Sequence, residues 1–378
     1  MSERTVVLLD RLASDDGPVA LVVRRTGATP VGVEKWADAK ELLHASTTIA
    51  AVFPASMRGF EELCLEVRSE LGGEDLPLIA IVGNAWDAQL GRLFMFSIDD
   101  YAVEDELDGL QPKLLALGRG SPWANVSPEA GRVVVADPDP GRRLLYGRLL
   151  RRKGLGVDFA LDQDDLMRRA SQNEDVKLVL SATDLPPRGM KAAFEAFRAE
   201  GGRLAALPWV VEGTAEQLDA ARIGASAAAQ VRLFDNNDPP ESVLFHVNDL
   251  LNPSLGDART SPRLLYGGPA CFRVVGSRHQ TSAFTYNVNR TGLFIRTLVP
   301  PPRDSELIID VRPPFGEGRA RVYGKVVWRK ECRQEGGPVV PTGMGVTYTR
   351  VPLADGAALT AGYEKLLESA PGEKSGQE

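Results

Sequence analysis

Short apolar runs alternate with amphipathic stretches through the first two-thirds of the chain. Thr5-Val-Val-Leu-Leu-Asp10 reads as a buried strand closed by an acid, and further apolar runs follow at Ile49–Phe53, Leu78–Val82 and Tyr101–Val103. Between them, Ala37–Leu43 and Phe60–Leu71 carry apolar residues three and four apart, the spacing of one helix face. Alternating strand and helix predicts a parallel sheet with helices on both faces. The pattern restarts at Arg132-Val-Val-Val-Ala-Asp137. A basic helix over Arg142–Lys153 follows, then strands at Val157–Ala160, Lys177–Leu180, Leu204–Leu207 and Ala228–Leu233, and a helix over Glu241–Leu251. The two repeats occupy residues 1–118 and 132–252. Gly/Ser/Pro-rich linkers at 119–131 and 253–258 follow them.

The pattern changes after residue 258. Short strands, many turns and proline clusters at Val299–Arg303 and Arg312–Phe315 read as an all-β barrel or sandwich over 259–369. A terminal helix over Ala354–Glu368 and a polar tail at 370–378 end the chain. The 378 residues allow two or three domains, and a net charge of −7 argues against nucleic acid as a main partner. Three cysteines, far apart and odd in number, argue against a disulfide framework and for a reducing cytoplasm. No secretory h-region and no apolar run of membrane-spanning length is present, so no membrane insertion is expected. His44, His246 and His279 lack metal-ligand spacing, and the sequence has neither a Ser-His-Asp signature nor a phosphate-binding glycine loop. No metal and no catalytic residues are expected.

Candidate chemistry gathers between Arg259 and Thr297. Arg259-Thr-Ser-Pro-Arg263 sets two guanidinium forks four residues apart, each able to grip a phosphate bidentately or stack on a base. Asn287-Val-Asn289-Arg-Thr-Gly292 follows. In an extended segment its two amides share a side, and the glycine lets backbone come close to a ligand. This pair resembles the PilZ domain, whose motifs are Arg-x-x-x-Arg and, about two dozen residues on, Asp/Asn-x-Ser-x-x-Gly. Asn289 departs from that pattern, which has serine there. Gly292-Leu-Phe-Ile-Arg-Thr297, Gly324-Lys-Val-Val-Trp328 and Gly343-Met-Gly-Val346 continue the likeness in order. The arginine motif also reads as Arg263-Leu-Leu-Tyr-Gly267, without its second arginine. Pro262 favours the first register by extending the backbone before Arg263. The resemblance implies cyclic di-GMP as ligand. Arg259 and Arg263 would hold phosphates and guanine faces, Asn287 and Asn289 guanine edges, and Gly292 would admit the backbone. It also implies outputs such as motility or exopolysaccharide control.

Both repeats resemble the receiver domain of response regulators, most clearly at Asp99-Asp-Tyr-Ala-Val103 and at Val133-Val-Val-Ala-Asp137-Pro-Asp139-Pro. Receiver chemistry needs an acid cluster for Mg²⁺, an aspartate nucleophile, a hydroxyl and a lysine. The first repeat keeps Asp10, with Arg11 beside it. It has Val52-Phe53-Pro54 at the nucleophile, Val82 near the hydroxyl and Glu104 for the lysine. The second keeps Asp137 and Asp139, with Ser181 at the nucleophile, Pro208 near the hydroxyl and Val231 or Arg232 near the lysine. Asp184 is the rival acceptor. The expectation is two flavodoxin-like pseudo-receivers that dock proteins, followed by a PilZ-like barrel. The alternative is a scaffold that binds protein partners and no nucleotide.

Overall fold

A computed structural model describes residues 4–69, 76–87, 89–96, 98–117, 131–151, 153–221, 230–238, 240–251, 261–332 and 340–369. Nearly all of the 119–131 linker, the 253–258 linker, Arg259 and the 370–378 tail lie outside them. The first repeat is a parallel sheet of β1 (Thr5–Leu9), β2 (Thr29–Val33), β3 (Thr48–Pro54), β4 (Leu78–Val82) and β5 (Asp100–Val103), ordered β2-β1-β3-β4-β5. This is the doubly wound flavodoxin-like order. Every residue of β3 and β4 is buried, which is why they read as unbroken apolar runs. The sequence pattern missed β2. Thr-Pro-Val-Gly-Val shows no alternation, and its proline is tolerated because β2 is an edge strand.

The second repeat copies the first with β6 (Arg132–Ala136), β7 (Gly156–Ala160), β8 (Val176–Ala182), β9 (Trp209–Gly213) and β10 (Val231–Asp235), ordered β10-β9-β8-β6-β7. One expected strand is corrected. Leu204–Leu207 lies at a helical turn, Gly202–Ala206, closed by Leu207 N–H donating to the Leu204 carbonyl at 3.2 Å. The strand begins two residues later. A four-residue apolar run does not distinguish the two by periodicity. Trp209 decides the matter in three dimensions. Its ring stands edge-on to Phe194 and Phe197, with centroids 5.5 and 5.1 Å away.

The third segment is antiparallel: β11 (Leu264–Leu265), β12 (Pro269–Val274), β13 (Thr281–Asn289), β14 (Gly292–Arg296), β15 (Glu306–Val311), β16 (Ala320–Lys330) and β17 (Gly343–Arg350), then a helix over Leu353–Ser369. The order β13-β12-β15-β16-β17-β14 closes through the β13–β14 pairing into a six-stranded barrel, with β11 added outside β13. Closure leaves no long free edge.

By packing, the chain forms two compact units. One joins the first repeat to the barrel (Met1–Ala124, Arg259–Gln334, Pro341–Leu367), and the other is centred on the second repeat (Asn125–Ala258). The first repeat and the barrel thus pack as one compact unit. Their junction is built on Asp100 and Lys113, both fully buried and 2.7 Å apart. Lys113 Nζ also donates to the Tyr101 carbonyl and, across the junction, to the Ser282 carbonyl of β13 at 2.8 Å. The other Asp100 oxygen accepts from Leu298 N–H at 2.9 Å and Thr297 Oγ1 at 3.2 Å, just beyond β14. Arg296, nearly buried, pairs with Asp99 at 3.0 Å. Apolar packing surrounds these bonds: Tyr101 lies 4.9 Å from Phe284, and Leu298 joins the core of the first repeat.

Removing one partner of such a pair strands the other charge, at a cost of about 3–5 kcal/mol. Lys113→Ala is therefore expected to destabilise the chain by about that much in urea unfolding. Arg11→Ala, which breaks a half-exposed surface pair with Glu104, should cost under about 1 kcal/mol. Equal effects from the two would contradict the assignment of the junction.

Candidate functional site

The β13–β14 hairpin pairs Asn289 with Gly292, leaving Arg290-Thr291 as a two-residue turn. Asn289 Oδ1 accepts from Thr291 N–H at 3.0 Å, so this amide fastens the turn from within. Asn287 is buried opposite Phe294, and Asn289 is half-exposed. The two are two residues apart beyond the bulge between Thr285 and Asn287, so they share a face. Gly292 also meets a packing need that its spacing did not show. A Cβ there would lie 2.3 Å from the Val346 carbonyl, so the glycine is required by the pairing of β14 with β17.

Strand β11 brings the arginine segment to this hairpin. Leu264 pairs with Val288 and Leu265 with Asn287, and the same register carried one step further sets Arg263 against Asn289. Arg263 is exposed there. The segment leading to it is pinned twice: Ser261 Oγ accepts from Arg290 N–H at 3.1 Å, and the Pro262 carbonyl accepts from the Tyr363 hydroxyl at 2.9 Å. Arg259 lies outside the described residues. The alternative register would put its fifth position at Gly267, where a Cβ would meet the Phe94 ring of the first repeat at 1.9 Å. That position faces the junction and has no room for a side chain. Arg290 and Tyr363 escaped the sequence reading. They fill no fixed place in either motif, and only folding brings Tyr363 to the hairpin.

The positions compared with receiver chemistry in the sequence carry other charges. In the first repeat Arg11 donates twice to Glu104, at 2.5 and 2.8 Å, so the basic group stands on the acid side and the acid in place of the lysine. That hydrogen bonding holds the Glu104 carboxyl below its usual range. In the second repeat Asp137 is buried and held by Arg142, whose Nε and Nη2 donate to its two oxygens at 2.8 and 3.0 Å. Glu212, also buried, lies 3.2 Å from the same Nε. One guanidinium thus serves two buried carboxylates, and Glu212 Oε2 has no hydrogen-bond partner. Burial pushes the Glu212 carboxyl up to about 8, against the pull of Arg142 and with a further push from Asp137.

Placing β9 at Trp209–Gly213 also moves the hydroxyl position. Pro208 precedes the strand, and Glu212-Gly213 ends it. Ser181 is fully buried within β8, its hydroxyl donating to the Ala182 carbonyl at 3.1 Å, and Asp184 is exposed beyond the strand. Sequence reading missed Glu212 because it sits at the end of an apolar run, and it read Arg142 only as part of a basic helix. Among the described residues no cluster of His, Cys, Asp or Glu is arranged to hold a metal ion, and no helix is long and apolar enough to cross a membrane.

No protein-family model matches the chain, and a search of curated proteins returns no match. Solved structures do resemble it. A probable two-component response regulator/GGDEF domain protein is 15% identical, with 66% of this chain and 99% of that one covered and a TM-score of 0.31. The chemotaxis response regulator CheY4 of Vibrio cholerae is 17% identical over 32% of this chain and 98% of its own, with a TM-score of 0.27. The PilZ domain of CeSA from a cellulose-synthesizing bacterium is 10% identical over 26% of this chain and 92% of its own, with a TM-score of 0.21. The fold class rests on the geometry itself: strand order 2-1-3-4-5 in both repeats, and a closed six-stranded antiparallel barrel followed by a helix.

Two outcomes are expected. Glu212 binds its proton more tightly folded than unfolded, so its contribution to stability is full below about pH 4.5 and is lost as pH rises through about 8. The stability of Glu212→Gln relative to the unmutated chain should therefore grow from pH 5 to 8, by up to about 1.4 kcal/mol per pH unit. A difference independent of pH in urea titrations would refute this. Acetyl phosphate with Mg²⁺ should leave neither repeat phosphorylated, since neither offers an exposed aspartate at the nucleophile position, and a phosphate adduct in intact-mass spectra would contradict it.

Proposed function

We propose that the chain is a non-enzymatic, cytoplasmic signalling protein that receives cyclic di-GMP on its barrel and docks protein partners through its pseudo-receivers. The observation that carries this reading is the pairing of β11 with β13, which brings Arg263 to the tip of the Asn287–Gly292 hairpin across two dozen residues of sequence. An exposed guanidinium fork beside two amides suits a ligand with phosphates and purine edges. Arg259, four residues before Arg263, would add a second fork from the same segment. The output is motility or exopolysaccharide control, following the PilZ resemblance. The β5 side of the first repeat is covered by the barrel, so protein partners would use its other faces and the second repeat.

A second reading is a scaffold that binds only proteins. It is favoured by the engagement of Asn289 in its own turn and by the burial of Asn287. Calorimetric titration with cyclic di-GMP separates the two. Binding is expected, and the absence of both heat and a melting shift at high-micromolar ligand would leave the scaffold. An arginine–phosphate bond contributes about 1.5–3 kcal/mol. Arg263→Ala should therefore weaken binding about tenfold to a hundredfold with little change in the melting temperature of the free protein. Asn289→Ser should keep or raise affinity, because a serine hydroxyl also accepts from the backbone two residues on.

A further inference from the structure

The hairpin tip carries a second cation that neither arginine motif includes. Arg290 occupies the turn between Asn289 and Gly292, about half-exposed. Its guanidinium lies 5.6 Å over the ring of Tyr363, itself buried, and its Nη2 is 3.2 Å from Glu364 Oε1 on the terminal helix. The same residue touches the arginine segment, but through its backbone, whose N–H donates to Ser261 Oγ two positions before Arg263. That segment is held by the Arg290 backbone and the Tyr363 hydroxyl, so the guanidinium is not needed to keep it in place. What the guanidinium has is an aromatic face beneath it and one half-exposed carboxylate beside it. Such a surface pair contributes little in water, so a doubly bonded phosphate can replace the carboxylate.

We propose that Arg290 is a phosphate-binding residue of the hairpin site, a second guanidinium beside Arg263, and that Glu364 is the internal counter-ion a nucleotide phosphate displaces. The inference rests on the cyclic di-GMP reading and deepens it. It supplies a pair of arginines, one from the segment before β11 and one from the β13–β14 turn, and it ties ligand binding to release of a contact on the terminal helix. The Tyr363 ring keeps the planar fork oriented in both states.

The test is calorimetric titration of the full chain with cyclic di-GMP, comparing the unmutated protein with Arg290→Ala, Arg290→Lys and Glu364→Gln. Arg290→Ala should weaken binding by at least about tenfold. Arg290→Lys should fall between, since it keeps the charge and loses the fork. Glu364→Gln should tighten binding, by up to about fivefold, because the competing carboxylate is gone. The opposite signs distinguish a ligand group from a structural one. If Arg290 only pins the terminal helix, Arg290→Ala and Glu364→Gln would both weaken binding, and the inference is overturned. If Arg290→Ala binds as the unmutated protein does, the inference fails while the receptor reading stands. If the unmutated protein does not bind, both fail. Should Arg290→Ala not fold, a Glu364→Gln affinity no tighter than the unmutated one is sufficient to overturn it.

Discussion

The buried Asp100–Lys113 pair is the constraint on which the first unit depends. Neither charge reaches water, and each has partners on both sides of the junction: Ser282 for the lysine, Thr297 and Leu298 for the aspartate. A buried ion pair adds little net stability over apolar residues of the same shape. Its consequence here is geometric. The bonds from Lys113 and Asp100 are all made only when β5 lies against β13 and the end of β14, so one arrangement is selected and slipped ones leave a charge unsatisfied. Tyr101, Phe284 and Leu298 supply the apolar area around it.

That arrangement places the junction contacts and the Arg263 segment at opposite ends of one hairpin. Strands β13 and β14 begin and end at the junction, through Ser282 and through Arg296 and Thr297, and they turn at Arg290-Thr291 beside Arg263. The tract Gly292-Leu-Phe-Ile-Arg-Thr297 is thereby divided in its contacts. Gly292 lets β14 approach β17, while Arg296 and Thr297 bind the first repeat.

Each repeat sets a cation against a carboxylate at the ends of its strands. In the first, Arg11 and Glu104 form a half-exposed pair. The second has retained Asp137 and placed the Arg142 guanidinium on it, with Glu212 alongside carrying one more carboxyl than that cation can balance. Burial, with a further push from Asp137, raises the Glu212 carboxyl against the pull of Arg142. In both repeats a protein cation lies against an acid of the pocket.

Much of this was legible in the sequence, for a simple reason. Strands buried on both faces must be continuously apolar, so β1, β3, β4, β6 and β8 announce themselves, and their alternation with helices implies the doubly wound sheet. The spacing of Arg263, Asn287 and Asn289 was likewise enough to propose a site. Three things were decided only by tertiary structure. A four-residue apolar run became a helical turn because Trp209 found Phe194 and Phe197 two residues further on. The purpose of Gly292 and Gly267 was set by a carbonyl and a ring far away in sequence. Nothing in the sequence marked Lys113 and Asp100 as a buried pair, and the barrel covers both. Local pattern records which positions avoid water; which distant group they meet instead is fixed only when the chain closes on itself.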